Sequence, residues 1–317
     1  MKIIIITPVP ITTRGGNTVT ARRWSGILRD LGHNVRVRVD YRGEPCDMLV
    51  ALHARKSHPS IRRFAETHPD RPLIVALTGT DLYGDLSASR EARESIEWAT
   101  RLVLLQPAGR SCLPRAVRDK ARVIYQSVVP PRGSFRPDPN WFDACVIANL
   151  REVKDPLLAA EATRHLPRES RVRVVHVGEP LDAKLARRAR QENRANARYR
   201  WVGGMPRYRA MRLLARSRLL VLTSKMEGGA NVISEAIALG VPVISTLIDG
   251  SIGLLGASYP GYFEIGDARG LARLLVRAET DARFYERLCK RCQRLTPLFD
   301  PRRERAAWAG LMDEVAC

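Results

Sequence analysis

Short apolar runs alternate along this chain with amphipathic stretches of helical spacing. The run Ile3 to Ile6 ends at Pro8 and Pro10, and a glycine-bearing loop, ITTRGGNTV, follows. Apolar positions then return at Val19, Trp24, Ile27, Leu28 and Leu31, the spacing of a helix face, and Gly32 stops them before NVRVRVD alternates as a half-buried strand does. DMLVALHA (47–54) and PLIVALTGTD (72–81) are apolar almost throughout, the mark of strands covered on both faces, with the helical SIRRFAETHP between them. ATRLVLLQ and ARVIYQSVV continue the series. Strand and helix in alternation predict a parallel, doubly wound sheet.

The proline-rich stretch PPRGSFRPDPNWFD (130–143) tolerates no regular element and reads as a linker. Beyond it the alternation restarts: strand ACVIANL, helix DPLLAAEATRHL, strand RVRVVHVG, a basic helix, ARYRWVGG, helix PRYRAMRLLARS, strand RLLVLTS, helix NVISEAIALG and strand VPVIST. A short element near YFEIGD and one helix over about 268–295 follow. The expected fold class is therefore α/β, two Rossmann-like doubly wound domains facing a cleft at the carboxyl ends of their strands, where ligands bind in such folds. The expected boundaries are 1–135 for the first domain, 144–297 for the second, and 298–317 for a terminal helix crossing back to the first.

Composition narrows the classes. A chain of 317 residues exceeds what one core usually organises, and 45% hydrophobic with 27% charged residues is ordinary for a globular protein. No run approaches the length of a membrane span, and the opening MKIIIIT is too short for a signal-peptide core, so a cytoplasmic protein is expected. The cysteines are scattered apart from Cys289 and Cys292, whose spacing inside a charged helical stretch reads as two ordinary thiols. The net charge of +20 suits nucleic acid, an anionic surface or anionic small molecules. Its arginines are spread over nearly every helix, and 6% aromatic residues supply few stacking platforms, so neither a nucleic-acid partner nor stable membrane association is expected.

No two glycines stand two apart, which removes G-x-G-x-x-G, and neither a P-loop nor a D-x-D is present. A phosphate ligand would have to be neutralised by amides and side-chain cations, with no metal ligands and no cofactor expected. The stretch LTSKMEGGANVISEAIALGVPVIS (222–245) offers such a place. A strand delivers the chain to Glu227, Gly228 and Gly229 permit a bend, and a helix starts near Asn231, so the amides of Gly229, Ala230, Asn231 and Val232 lie at the positive end of its dipole. Glu235, a turn further on, is placed to accept ribose hydroxyls, and Glu227 to face what the diphosphate carries. A helix cap plus a solvated Glu explains the same residues on local grounds.

The stretch SKMEGGANVISEAIALGVPVI resembles the E-x7-E signature of GT-B glycosyltransferases of the family 4 type, Glu227 and Glu235 holding its two positions. NLREVKDPLLAAEA is similar to the segment opening that family's donor domain, which implies that Arg151 and Lys154 contact the diphosphate. YRWVGGMP matches the turn whose backbone reads the base, implicating Gly204 and Met205, and RGGNTVTARRW resembles the acceptor-domain opening, with Gly16 near the donor phosphates. The pattern departs where a bulky apolar residue and proline are replaced by Gly229 and Ala230.

A narrower resemblance joins GEPCDMLVALHARKSHPSIRRF, RPLIVALTGTDLYGDL and LREVKDPLLAAEATRHLP to the selenosugar synthases of selenoneine biosynthesis. It implies that UDP is displaced from a sugar, of N-acetylglucosamine or glucose type, by selenophosphate, with Arg151, Lys154 and Glu227 at the reacting centre. Acceptor candidates sit at strand ends of the first domain: Asn17, His53, Arg55, Thr80 and Asp81, of which Asn17 and His53 are also catalytic candidates. Helix capping by Asn17, a satisfied polar role for His53 and turn closure by Asp81 are the plain alternatives. The rival functions are sugar transfer to a lipid or polysaccharide hydroxyl, and a non-catalytic basic protein binding nucleic acid.

Overall fold

The computed structural model describes residues 1–13 and 15–316, which fall into two compact units. The first comprises Met1–Ser127, the short segment Glu227–Ala230 and the chain from Asp300 onward; the second comprises Val128–Met226 and Asn231–Phe299.

The first unit runs β1 (Lys2–Ile6), α1 (Gly16–Asp30), β2 (Asn34–Arg38), β3 (Met48–Leu52), α2 (His58–Thr67), β4 (Leu73–Leu77), α3 (Leu86–Ala88), α4 (Arg90–Trp98), β5 (Arg101–Leu104) and β6 (Ala121–Val123). Its parallel sheet has the order β2-β1-β3-β4-β5-β6, with Ile5 opposite Val37 on one side and Val50 on the other. The unbroken apolar runs have the expected cause. Ile4, Ile6, Leu49 and Val75 face one core with Phe64 and Ile96, while Ile3, Ile5, Val50 and Ile74 face another with Trp24 and Trp308. β2 lies at the edge and keeps its alternation. Along α1 the buried face is Thr20, Ala21, Trp24, Ser25 and Leu28, while Val19 and Ile27 are only partly covered. Small residues there let the helix lie close to the sheet.

The second unit continues with β7 (Phe142–Ile147), α5 (Leu158–Thr163), β8 (Val172–Val177), α6 (Ala183–Ala195), β9 (Tyr199–Trp201), α7 (Arg207–Ala215), β10 (Leu219–Leu222), α8 (Asn231–Ala238), β11 (Val243–Thr246), α9 (Asp249–Leu255), β12 (Tyr262–Phe263), α10 (Ala268–Thr280) and α11 (Ala282–Leu295). The last helix, α12 (Pro301–Ala316), belongs to the first unit. The sheet order is β12-β11-β10-β7-β8-β9, which in chain order is the dinucleotide-fold arrangement with its reversal between β7 and β10. The single helix expected over 268–295 is two, because Asp281 adopts an extended conformation and its carboxylate accepts the Phe284 amide at 3.0 Å to start α11. α9 was not expected from its glycines; it forms by burying Leu254 and Leu255.

His176 on β8 has no contact with water. Its Nδ1 lies 2.7 Å from the Tyr199 hydroxyl and its Nε2 2.8 Å from the Ala148 carbonyl. Burial pushes its pKa down to about 4, with the Ala148 carbonyl opposing. The unfolded chain therefore takes up a proton near the ordinary imidazole value of 6.5 that the folded chain refuses until about 4. This group withdraws stability as pH falls through that window and has no effect above it, a change of about 3 kcal/mol. Urea midpoints are expected to drop across the same window, and His176→Gln, which keeps a donor and an acceptor without titrating, to flatten the drop. An undiminished slope in that variant would contradict the assignment.

Candidate active site

In the second unit the loops leaving β7 and β10 flank the reversal of strand order. After β7 the chain makes one tight turn, Glu152–Lys154, entered at Arg151 and left through Asp155 in the left-handed conformation (φ 41°). The segment leaving β10 holds this turn: the Thr223 hydroxyl donates to the Lys154 carbonyl at 2.9 Å and the Lys225 amide to the Val153 carbonyl at 2.9 Å. The Thr246 hydroxyl, from β11, donates to the Ser224 carbonyl at 2.6 Å. The turn is held through the carbonyls of Val153 and Lys154, which substitutions of the side chains would keep.

The loops after β8 and β9 join the same end of the sheet. The Glu179 amide donates to Asn149 Oδ1 at 3.0 Å, the Leu150 amide to the Glu179 carbonyl at 2.9 Å, and the Gly178 amide to the Gly203 carbonyl at 3.0 Å. Gly203 has φ 74°, which favours glycine, and the Glu179 carboxylate lies where a side chain on Gly204 would stand, so a larger residue at 204 would move that carboxylate aside. Met205 and Pro206 lead into α7. Helix α8 starts at Asn231, with Val232 in its first turn. Glu235 follows one turn on, 7% exposed, and its Oε1 accepts from Arg207 Nε at 2.8 Å. Thus Arg151, Lys154, Gly204, Met205, Asn231, Val232 and Glu235 all stand at the carboxyl end of one sheet.

Glu227, Gly229 and Ala230 group instead with the first unit, and the glycine pair has a different reason from the one read in the sequence. Neither Gly228 nor Gly229 has positive φ. A Cβ on Gly228 would lie 2.5 Å from the Thr78 carbonyl carbon and 2.6 Å from the Gly79 nitrogen, and one on Gly229 would lie 2.5 Å from Leu105 Cβ. Leu105 therefore excludes the bulky residue that the resembling family carries at position 229. Because the atoms facing Gly228 are backbone, Gly228→Ala is expected to displace the Glu227 segment by about 1 Å and to lower kcat/KM about 100-fold with the circular dichroism unchanged. Retained activity in a folded variant would show that the segment does not set the geometry.

In the first unit the order reversal lies between β1 and β3. Gly16 and Asn17 follow β1. The α1 N-cap is Gly15, with no side-chain cap, so Asn17 sits inside the first turn and is not the cap. His53 follows β3 with φ 76°, a strained backbone for a non-glycine residue. Burial lowers its pKa, against the attraction of Asp81, and it is neutral near pH 7. Nδ1 accepts the Lys56 amide at 3.3 Å, which leaves the proton on Nε2 to be donated to Thr80 Oγ1 at 3.0 Å. The ring is 2% exposed, with Thr80 and the partly exposed Asp85 beside its Nε2. Asp81 is fully buried, and its oxygens accept the amides of Ala54 (3.0 Å), Thr78 (2.9 Å) and Gly79 (2.8 Å). It ties the β3 and β4 loops together, behind Thr80. Arg55 pairs with Asp85, Nε to Oδ2 2.9 Å.

A groove of about 1250 Å³ in the second unit is lined by Arg136, Arg200, Arg209, Arg212 and Arg216, with Asp138, Asp143 and Met205 among them. α6, by contrast, buries only Ala186 and Ala189 and is solvated, as its sequence suggests. Two relevant residues escaped the sequence reading. Arg207 is one more arginine in an arginine-rich chain, whereas Glu179, a carboxylate directly after a buried strand, carries a readable signal. Among the described residues no helix is long and apolar enough to cross a membrane.

Residues 133–294 match the family model described as Glycosyl transferases group 1. Among solved structures, HepE of Anabaena in complex with UDP-glucose superposes with a TM-score of 0.78 at 16% identity, covering 99% of this chain and 100% of that one. The sucrose-phosphate synthase of Thermosynechococcus elongatus gives 0.78 at 15%, covering 99% of this chain and 98% of that one. A glycosyltransferase from Rickettsia africae gives 0.71 at 13%, covering 99% and 98%. At such identities these structures establish the fold, which is GT-B.

Proposed function

From the premise that the chain belongs to the group 1 glycosyl transferases, we propose that it transfers a sugar from a UDP-sugar to the selenium of selenophosphate. The single observation that carries the nucleotide part is Glu235. A carboxylate one turn into the helix after β10, at the strand-order reversal, matches a ribose diol, and the helix start at Asn231 matches a pyrophosphate. HepE, which shares the fold, was crystallised with UDP-glucose, and this supports the choice of donor. The selenophosphate part rests on the resemblance of residues 43–64, 71–86 and 150–167 to selenosugar synthases.

The chemistry then follows from charge. A selenium lone pair attacks the anomeric carbon as the bond to the UDP oxygen breaks and its electron pair leaves with UDP. Water takes the phosphoryl group, the phosphorus–selenium pair stays on selenium, and a 1-selenosugar of N-acetylglucosamine or glucose type results. Both reactants are anionic, so the developing charge on UDP must meet fixed cations and amides: Arg151, Lys154 and the first turn of α8. Selenium needs little help from a base, so positioning dominates, with Thr80 oriented by His53 as the acceptor contact and Asn17 and Arg55 as further acceptor candidates.

Purified protein given UDP-N-acetylglucosamine and selenophosphate without added magnesium is expected to release UDP and to yield a selenosugar detectable by mass spectrometry. Sugar transfer to a lipid or polysaccharide alcohol with none to selenophosphate would overturn the acceptor and leave the transferase class standing.

A further inference from the structure

Arg207 opens α7, directly after the Gly203 to Pro206 turn, and its guanidinium crosses to α8. Nε and Nη2 both lie 2.8 Å from the same carboxylate oxygen, Oε1 of Glu235. The two ends of this pair differ in surroundings: the side chain of Glu235 is 9% exposed and that of Arg207 43%. A carboxylate so far from water needs donors, and Arg207 supplies two of them to one oxygen. A carboxylate oxygen has two lone-pair sites, so two N–H donors fill Oε1.

A vicinal diol binds a carboxylate best with one hydroxyl on each oxygen, the same two-point match that makes guanidinium–carboxylate pairs strong. A ribose that engages both oxygens of Glu235 must therefore take at least one lone pair from Arg207. We propose that Arg207 is a gate on Glu235, holding its carboxylate while the nucleotide site is empty, withdrawing toward solvent when a ribose arrives, and recapturing Oε1 as the nucleotide leaves. The inference rests on the reading of Glu235 as the ribose ligand. It adds a consequence that the reading does not contain: Arg207 opposes nucleotide binding. The product UDP keeps the nucleotide contacts of the donor, so a residue that competes for one of them shortens the time UDP stays bound, and release of product limits many transferring enzymes.

Calorimetric titration of UDP and of 2′,3′-dideoxy-UDP into the wild type, Arg207→Ala, Arg207→Gln and Glu235→Gln separates the possibilities. Arg207→Ala is expected to bind UDP about two- to fivefold tighter, the range for a half-exposed ion pair no longer to be broken. Arg207→Gln, which keeps a neutral donor, is expected to move less in the same direction. Neither substitution is expected to alter the affinity for the dideoxy nucleotide, which has no diol to compete. Weaker UDP binding in Arg207→Ala, or equal shifts for both nucleotides, would overturn the gate. If instead the wild type bound both nucleotides alike and Glu235→Gln changed nothing, the ribose assignment itself would fall, and the gate with it.

Discussion

Glu304→Ala is expected to destabilise the first unit by about 3–5 kcal/mol, a large share of the stability of a typical domain. Glu304 on α12 is 2% exposed and collects donors from two other parts of that unit. Its Oε1 accepts the Trp24 indole N–H at 2.9 Å and Arg23 Nε at 3.1 Å, and its Oε2 accepts the Ser127 amide at 2.8 Å and the Ser127 hydroxyl at 2.5 Å. Removal strands buried donors, each costing about 1–3 kcal/mol, beside a cavity next to the Trp24–Trp308 contact, whose ring centroids are 4.9 Å apart. Glu304→Gln keeps the volume but turns an amide N–H₂ toward donors, so an intermediate loss is expected. Guanidinium unfolding of both variants measures this. A loss below about 1 kcal/mol for the alanine variant would mean that α12 is held by its apolar face alone.

Lys154→Ala is expected to lower kcat about 100- to 1000-fold while leaving the fold and the affinity for the UDP-sugar nearly intact. The main chain of residue 154 is what Thr223 holds, and alanine keeps that carbonyl. On the proposed reading the ammonium faces more negative charge on the departing diphosphate than on the bound donor, so most of its loss is expected in kcat rather than KM. Arg151→Ala is expected to act in the same direction. A rise in KM with unchanged kcat would place Lys154 in ground-state binding instead.

Why some of this was legible in the sequence and some not has physical causes. Strands β1, β3 and β4 stood out because a parallel sheet covered on both faces needs apolar residues at every position. Glu235 stood out because the strand, glycine pair and helix around it are contiguous in sequence. α9 did not, since Gly250 and Gly253 suppress its helical signal and only tertiary burial of Leu254 and Leu255 restores it. The true cause of the glycine pair was out of reach for another reason: Thr78, Gly79 and Leu105 lie more than a hundred residues earlier in the chain. Arg207 was hidden by composition, 53 basic residues of which only seven are Lys leaving no single arginine conspicuous. For Asp81 the sequence leaves ligand contact and turn closure open; its carboxylate accepts the nearby amides of Thr78 and Gly79, and also that of Ala54 after β3, a distant neighbour no local pattern reveals.

The central claim is that Glu235 and the start of α8 receive a uridine diphosphate. A crystal structure of the protein with UDP tests it most directly. The expected result is the ribose diol on both carboxylate oxygens of Glu235, the pyrophosphate at the amides opening the Asn231 helix, and Arg207 withdrawn. UDP bound elsewhere, with the guanidinium of Arg207 still on Oε1, would contradict it.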